Sequence, residues 1–184
     1  NAIVTIGNFS KGQTILIQGA SSGVGLMGLQ IAKHLGAKLV IGTSTKPEKF
    51  DKLKSIGADL VVNSKDKDWV DHVLQATNNE GVDLIIDQLS GYTINENMRA
   101  SKVKGTIVNV GRLAGSNTEF NCDLHALRRI NYRGVTFRTR SINEIREVYS
   151  KMWSDLGDLV VKGKLSLPID CLLYTSPSPR DLAR

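Results

Sequence analysis

One short stretch constrains the fold of this chain most, because a strand pattern there runs directly into a glycine-rich turn and then a helix pattern. The strand pattern covers residues 14–18, the turn 19–25 and the helix pattern 24–35. Gly23, Gly25 and Gly28 give the spacing Gly-x-Gly-x-x-Gly, which is weak alone and informative between a strand and a helix. Small residues let an anion approach the backbone N–H groups at a helix N-terminus, where the helix dipole favours negative charge. The stretch predicts a loop that binds a diphosphate, and the alternative is a tight turn that binds nothing.

Strand-like and helix-like segments alternate at regular spacing along most of the chain. The strand segments are continuous apolar runs, as expected for strands buried on both faces of a parallel sheet. They are residues 14–18, 39–43, 60–63, 84–87, 106–110 and 135–137. Helix patterns lie between them at residues 24–35, 47–56, 69–76, 93–100 and 124–131. This order predicts a doubly wound α/β fold of the Rossmann type, with a parallel sheet of about six strands between two helical layers.

The domain organisation follows from length and from a change of pattern near the C-terminus. Residues 1–170 are predicted to form one nucleotide-binding domain, since the chain is too short for two domains of ordinary size. The first residues lack an initiator Met and a signal peptide, so we expect an internal start. Residues 171–184 contain two of the four prolines and have no helical or strand period. They resemble translated sequencing-adapter read-through, and we expect an unstructured, non-native tail.

The charge and composition bear on partners and location. The net charge is +6, but aromatic residues make up only 5% and the lysines are spread along predicted helix faces, unlike most nucleic-acid-binding surfaces. We expect a small phosphate-bearing ligand and no nucleic acid, although a polyanion could use the basic stretch at residues 128–140. No apolar run reaches the roughly 20 residues of a membrane span. The two cysteines, Cys122 and Cys171, cannot build a disulfide framework or a cysteine-based zinc site, and we expect the cytoplasm.

The end of the second predicted strand indicates which cofactor the loop would bind. An NAD site usually has an acidic residue about 20 residues beyond the glycines, bonded to the ribose 2′-hydroxyl. This chain has no carboxylate at that strand end, and it has hydroxyl groups including Thr43, followed by Lys46 and Lys49. A 2′-phosphate binds hydroxyl and cationic donors and is repelled by an acid. The pattern favours NADPH over NADH, unless the two lysines only cover the first turn of a surface helix.

Several motifs in the same order resemble one enzyme family. Residues 12–25 resemble the opening of the cofactor domain in zinc-independent quinone oxidoreductases of the medium-chain dehydrogenase/reductase superfamily. Residues 46–49, 57–59 and 81–87 agree with the same family, and residues 128–130 and 137–141 resemble its p53-inducible branch. The resemblance covers about residues 12–170. It implies a two-domain reductase that passes hydride from NADPH to a quinone or enone without metal.

The resemblance also implies which residues contact the cofactor. The diphosphate loop would contribute Ala20, Ser22, Gly23, Val24 and Gly25, and the adenosine side would contribute Thr43, Lys46, Lys49 and Ser64. The nicotinamide half would contact Leu89, Gly111, Arg112, Phe137 and Arg138. The last two of these would come from the sixth strand. No catalytic residue and no metal ligand is assigned, because the catalytic domain of the family lies outside this stretch. The chain alone is therefore expected to bind cofactor and to catalyse little. Related enzymes often dimerise through the sheet edge, so a homodimer through that edge is expected.

Two positions depart from the family pattern, and other classes of protein remain as alternatives. Ser22 stands where the middle glycine is usual, and Ser64 stands where a tyrosine is usual, which removes a contact on the adenosine side. A short-chain dehydrogenase needs a Tyr followed four residues later by Lys, and none of the four tyrosines has one. A methyltransferase would need the missing acid at the second strand end. A non-catalytic nucleotide-binding or RNA-binding module stays open.

Overall fold

The computed structural model describes residues 1–168 of the chain. The predicted domain boundary at residue 170 and the predicted tail at residues 171–184 lie outside the described residues. Within the described residues, no helix is long and apolar enough to cross a membrane.

A single parallel sheet of six strands forms the centre of the fold. The strands are β1 Thr14–Ile17, β2 Leu39–Thr43, β3 Leu60–Val62, β4 Val82–Asp87, β5 Ser101–Asn109 and β6 Asn131–Gly134. Their order in the sheet is β3-β2-β1-β4-β5-β6, and every neighbouring pair is parallel. The predicted doubly wound fold of the Rossmann type is confirmed, because the chain leaves β1 in one direction and returns to β4 on the opposite side.

Six α-helices and three short helical turns accompany the sheet. The helices are α1 Gly23–His34, α2 Phe50–Ile56, α3 Trp69–Ala76, α4 Ile94–Ala100, α5 Cys122–Arg128 and α6 Ile142–Val161. A π-helical turn covers Ala2–Ile6, and 3₁₀ turns cover Pro47–Lys49 and Gly91–Thr93. The second predicted helix is therefore a 3₁₀ turn followed by α2.

Each face of the sheet has its own apolar core. Successive side chains of a strand point to opposite faces, so Ile15 and Ile17 of β1 pack on the face of α1, where they meet Leu29. Leu16 lies on the other face with Val73 of α3 and is equally buried. Burying each such side chain contributes about 1.5–3 kcal/mol. Because both faces are covered, the fold has the three layers expected from the sequence.

The C-terminal third differs from the sequence-based prediction. The sixth strand is Asn131–Gly134, not residues 135–137, and the helix before it ends at Arg128 instead of Asn131. Arg129 adopts the left-handed conformation (φ 52°), which stops the helix. The prediction was wrong because β6 is an edge strand with a mostly exposed sequence, so it lacks the continuous apolar run of the central strands. Helix α6 was not predicted at all.

Candidate dinucleotide-binding site

The loops after β1, β2, β4 and β5 meet at the carboxyl end of the sheet. The N–H of Ala20, after β1, donates to the carbonyl oxygen of Thr43 at the end of β2 (2.9 Å). On the other side, the Ser22 hydroxyl lies 2.8 Å from Oε1 of Gln88, which follows β4. Because the strand order reverses between β1 and β4, a crevice opens at this point, where doubly wound sheets bind their ligands.

The loop between β1 and α1 presents backbone N–H groups to the crevice. The N–H groups of Ser21, Gly23 and Val24 have no hydrogen-bond partner in the part of the chain that the structure describes. The N–H of Gly25 is already bonded to the Ser22 hydroxyl (3.1 Å), which caps α1. Gly23 and Val24 are also exposed, with Val24 at 60%. Three free donors beside the positive end of a helix dipole form an arrangement that can bind an anion.

The three glycines of this loop have different surroundings. A Cβ added to Gly25 would lie 2.6 Å from the Ala20 Cα and from the Gly19 carbonyl oxygen, so the backbone approach requires glycine. A Cβ on Gly23 would meet nothing within 4 Å. Gly28, one turn later, packs on the side chain of Ile17 at ordinary contact distance. Gly25 therefore holds α1 against β1, while the space at Gly23 is open to a ligand.

Ser22 and Thr43 act within the protein. The Ser22 hydroxyl can donate either to Gln88 Oε1 or to the Gly19 carbonyl oxygen (2.9 Å), and its N–H donates to the same carbonyl oxygen (3.1 Å). Thr43 is fully buried, and its hydroxyl donates to Oε1 of Gln18 (2.7 Å) while it accepts from the Gly19 N–H (3.0 Å). Both side chains shape the loop through protein–protein hydrogen bonds. Their contact with a cofactor stays a prediction.

Three buried amides complete this network, and the sequence analysis missed them. Gln18 donates through Nε2 to Oδ1 of Asn97 (2.6 Å), and Gln88 donates through Nε2 to the carbonyl oxygen of Gln18 (3.1 Å). All three side chains are at most 5% exposed. A polar residue that follows a buried strand was a readable signal at Gln18 and Gln88. Asn97 lies on α4, and only the folded structure shows that it reaches β1.

The residues predicted for the adenosine side of a cofactor lie beside β2 and β3. Lys46 is exposed and Lys49 is half-buried, and neither forms an ion pair within residues 1–168. Ser64, after β3, is buried, and its hydroxyl has no hydrogen-bond partner among the described residues. No carboxylate stands at the end of β2 itself, and the two lysines that follow it could pair with an anionic group.

The predicted nicotinamide side consists of the loops after β4 and β5. Asp87 ends β4, and its Oδ1 accepts hydrogen bonds from the N–H groups of Leu89 and Ser90, both at 2.9 Å. Burial raises the pKa of Asp87, and the N–H groups of Ser90 and Leu89 and the amide of Asn97 oppose that shift. Asp87 Oδ2 accepts no hydrogen bond of good geometry from the described residues, and Asn97 Nδ2 donates none to them. Sequence analysis placed Leu89 here and overlooked Asp87.

The four remaining predicted residues differ in their placement. Gly111 lies directly against β4, because a Cβ there would be 2.6 Å from the carbonyl oxygen of Gln88. Arg112 is exposed and lines an open groove with Ser90. Phe137 and Arg138 do not belong to the sixth strand, as predicted, but follow it in an exposed loop. Their placement on β6 was therefore wrong, since that strand ends at Gly134.

The basic stretch at residues 128–140 is partly used inside the protein. The Arg128 guanidinium donates to the carbonyl oxygen of Ser101 (2.6 Å), and the Arg133 guanidinium donates to that of Ile6 (3.1 Å). The Arg140 guanidinium donates to the Thr136 carbonyl oxygen (2.9 Å). These hydrogen bonds give the three side chains a structural role within the protein, although each guanidinium keeps its positive charge.

Comparison with known proteins assigns the chain to a family. The chain is 28% identical over 166 residues to a highly reducing polyketide synthase of Emericella nidulans, a match that covers 88% of this chain and 6% of the synthase. A quinone oxidoreductase of Pseudomonas syringae pv. tomato is similar in structure, with 25% identity, a TM-score of 0.75 and coverage of 88% of this chain and 49% of that one. An Escherichia coli quinone oxidoreductase complexed with NADPH shares the fold at 23% identity and a TM-score of 0.74, over 87% of this chain and 48% of that one.

The chain thus spans about half the length of the similar solved structures and a small part of the synthase. A model of the zinc-binding dehydrogenase family matches residues 23–154, which is more than half of the chain. The matched segment runs from the first turn of α1 into α6 and includes every strand after β1. The chain therefore belongs to the zinc-binding dehydrogenase family, within the medium-chain dehydrogenase/reductase superfamily.

Proposed function

We propose that this chain is the NADPH-binding domain of a reductase that acts on a quinone or an enone. The observation that carries the proposal is the set of unpartnered N–H groups of Ser21, Gly23 and Val24 beside the open space at Gly23. A diphosphate placed there would accept hydrogen bonds from these groups and face the N-terminus of α1. When bound, NADPH would supply the hydride, and a proton from elsewhere would complete the reduction.

The 2′-phosphate of NADPH fits the adenosine side. Lys46 and Lys49 follow β2 and are not engaged by acids within the described residues. A lysine beside a phosphate forms a charge-assisted hydrogen bond, which is stronger than a neutral one. An acidic residue at the end of β2 would instead repel the phosphate and bond the 2′-hydroxyl of NADH. The charges on this side therefore support NADPH.

The substrate class is supported by the names of similar proteins. One of them is a quinone oxidoreductase, and another is a highly reducing polyketide synthase. Quinones and enones both contain a carbon–carbon double bond conjugated to a carbonyl group, and such a bond accepts hydride. Zinc gives the family its name, but residues 1–168 contain no group of three or more His, Cys, Asp or Glu side chains that could hold a metal ion. We therefore derive no step through a metal in this domain.

A calorimetric titration of the purified chain tests the proposal. We expect NADPH to bind at least several-fold more tightly than NADH. As a control, adenosine 2′,5′-bisphosphate should compete with NADPH, and adenosine 5′-monophosphate should compete much more weakly. Equal affinities for the two dinucleotides, or tighter binding of NADH, would contradict the assignment of the cofactor.

The edge of the sheet supports a second copy of the chain as a partner. Strand β6 pairs with β5 on one side, and its other side has no strand partner in the part of the chain that the structure describes. An unpaired strand edge can pair with the same edge of a second molecule. We propose a homodimer through β6, and light scattering on the eluted protein would contradict it by giving the mass of a monomer at micromolar concentration.

A further inference from the structure

We infer that Asp87 is a positioning residue that holds the nicotinamide side of the site through the loop after β4. The inference rests on the proposed function, because it assigns a role within that site. Asp87 is fully buried at the end of the strand that borders the crevice. No Lys, Arg or His in residues 1–168 forms an ion pair with it. A buried carboxylate is costly without compensation, and here the compensation comes from the N–H groups of Leu89 and Ser90.

The hydrogen bonds from Asp87 fix an unusual backbone conformation. Ser90 has φ 54° and ψ −147°, a region that residues other than glycine rarely adopt. Such a conformation persists only where the surrounding contacts determine it. Here the N–H of Ser90 donates to Asp87, and its hydroxyl donates to the carbonyl oxygen of Gly111 (2.8 Å). Asn109 Nδ2 in turn donates to the Ser90 hydroxyl (2.7 Å).

The backbone of the same loop is hydrogen-bonded to the loop after β5. The carbonyl oxygen of Asp87 accepts from the N–H of Val110 (2.7 Å), and that of Leu89 accepts from Ala114 (2.8 Å). A Cβ on Gly91 would lie 2.3 Å from the carbonyl oxygen of Ala114, so the two loops are in close contact. Because the two loops are hydrogen-bonded to each other, the turn that Asp87 holds helps to set the positions of both.

The residues set in this way are those predicted to lie along the nicotinamide half. Leu89 belongs to the turn, and Gly111 and Arg112 belong to the loop bonded to it. The predicted diphosphate donors of Gly23 and Val24 lie on a different segment, the first turn of α1. Loss of the Asp87 carboxylate should therefore disturb one half of a bound dinucleotide more than the other.

Two ligands separate the halves of the site. NADPH would occupy both halves, whereas adenosine 2′,5′-bisphosphate carries the adenosine and two phosphates but no nicotinamide. We expect Asp87→Ala to weaken NADPH about tenfold and to change the affinity for the bisphosphate less than twofold. The blue shift in the fluorescence of bound NADPH should also shrink. Asp87→Asn keeps an oxygen acceptor for the two N–H groups and should restore most of the affinity.

Two further variants keep the test independent of folding. Ser90→Gly relaxes the turn and leaves the buried carboxylate unchanged. Glycine accepts the backbone angles of Ser90, so this variant should fold. It should therefore reproduce the selective loss of NADPH affinity even if Asp87→Ala does not fold. Asp83→Asn changes a carboxylate at the opposite end of β4, where Asp83 bonds to Thr14, and should alter neither affinity. The inference is overturned if Ser90→Gly weakens both ligands equally, if Ser90→Gly affects neither ligand, or if a folded Asp87→Ala binds NADPH as tightly as the unmodified chain. If the unmodified chain binds neither ligand, the proposed function itself is wrong.

Discussion

The region around β1 and β2, beside the crevice, and the region around β6 and α6, at the far edge of the sheet, are built differently. In β1, residues 15–17 are fully buried, and after it the backbone approaches so closely that Gly25 allows no side chain. Strand β6 is mostly exposed, and Tyr149 and Trp153 on α6 are more than half exposed. An apolar cavity of about 190 Å³ lies between α1 and α6. The comparison indicates that close backbone packing fixes the loop after β1, whereas the β6 edge of the sheet is packed much less closely.

The sharpest test of this difference is a pair of glycine-to-alanine substitutions. Gly25→Ala would place Cβ 2.6 Å from backbone atoms of Gly19 and Ala20, and neither can yield without moving the loop. Overpacking of this kind costs about 1–3 kcal/mol, and we expect at least the upper value because the clash is with backbone. Gly134→Ala, in β6, meets nothing within 4 Å and should change the free energy of unfolding by less than about 0.5 kcal/mol. Urea unfolding of both variants measures this, and equal losses would remove the contrast.

The next test concerns ligand binding on the packed side. Gly23→Leu points a branched side chain into space that is empty in the protein, so the fold should be kept and the diphosphate excluded. We expect NADPH binding to fall at least a hundredfold, with an unchanged circular dichroism spectrum. Binding that survives this change would show that the cofactor does not lie on the loop between β1 and α1.

A smaller effect is expected at the adenosine side, from the two lysines. A charge-assisted contact contributes about 1.5–3 kcal/mol when it is desolvated, but solvent screening lowers this to about 0.7 kcal/mol for each lysine here, because Lys46 is exposed and Lys49 is half-buried. The double variant Lys46→Ala, Lys49→Ala should weaken NADPH about tenfold and NADH less than twofold. The matched control removes Lys52 and Lys54, two exposed lysines of α2, and tests for a general effect of charge. Equal loss for both dinucleotides would mean that the lysines act without contacting a 2′-phosphate.

The same contrast explains how much could be read from the sequence. The cores of β1 to β4 were predicted correctly, because strands buried on both faces read as continuous apolar runs. Strand β6 was misplaced because an edge strand has no such run. Helix α6 was missed, although Ser141 and Glu144 form a capping box whose spacing is visible in the sequence.

The candidate site divides in a similar way. The glycines of the loop were predictable, since a close backbone approach leaves few choices of residue. The roles of Gln18 and Asp87 were not predictable. The partner of Gln18 comes from a segment distant in sequence, and the partners of Asp87 belong to a turn whose geometry no sequence pattern encodes. A buried polar network becomes visible only when the strands are assembled.

The smallest expected effect is a dependence of stability on pH, caused by Asp87. This residue ends β4, which lies between the two regions in the sheet. Burial raises the pKa of Asp87 in the folded protein above its ordinary value of about 3.9. Between those two pKa values the folded state binds more protons than the unfolded state, so the free energy of unfolding must fall as the pH rises through this window. Below the window the carboxyl group is neutral in both states, and above it the cost of the buried charge is constant.

Asp87→Asn provides the reference for this last measurement, since asparagine does not titrate there and other carboxylates contribute equally to both proteins. Glu144, for example, has its pKa lowered by hydrogen bonds from Ser141, and its opposite pH dependence cancels in the difference. Urea unfolding from about pH 3.5 to pH 8 should show the stability of the unmodified chain, relative to Asp87→Asn, decreasing with pH and then levelling off. A relative stability that rises with pH would mean that the hydrogen bonds to Asp87 outweigh its burial. In that case the loops of the nicotinamide side would be held as firmly as the packed backbone around Gly25.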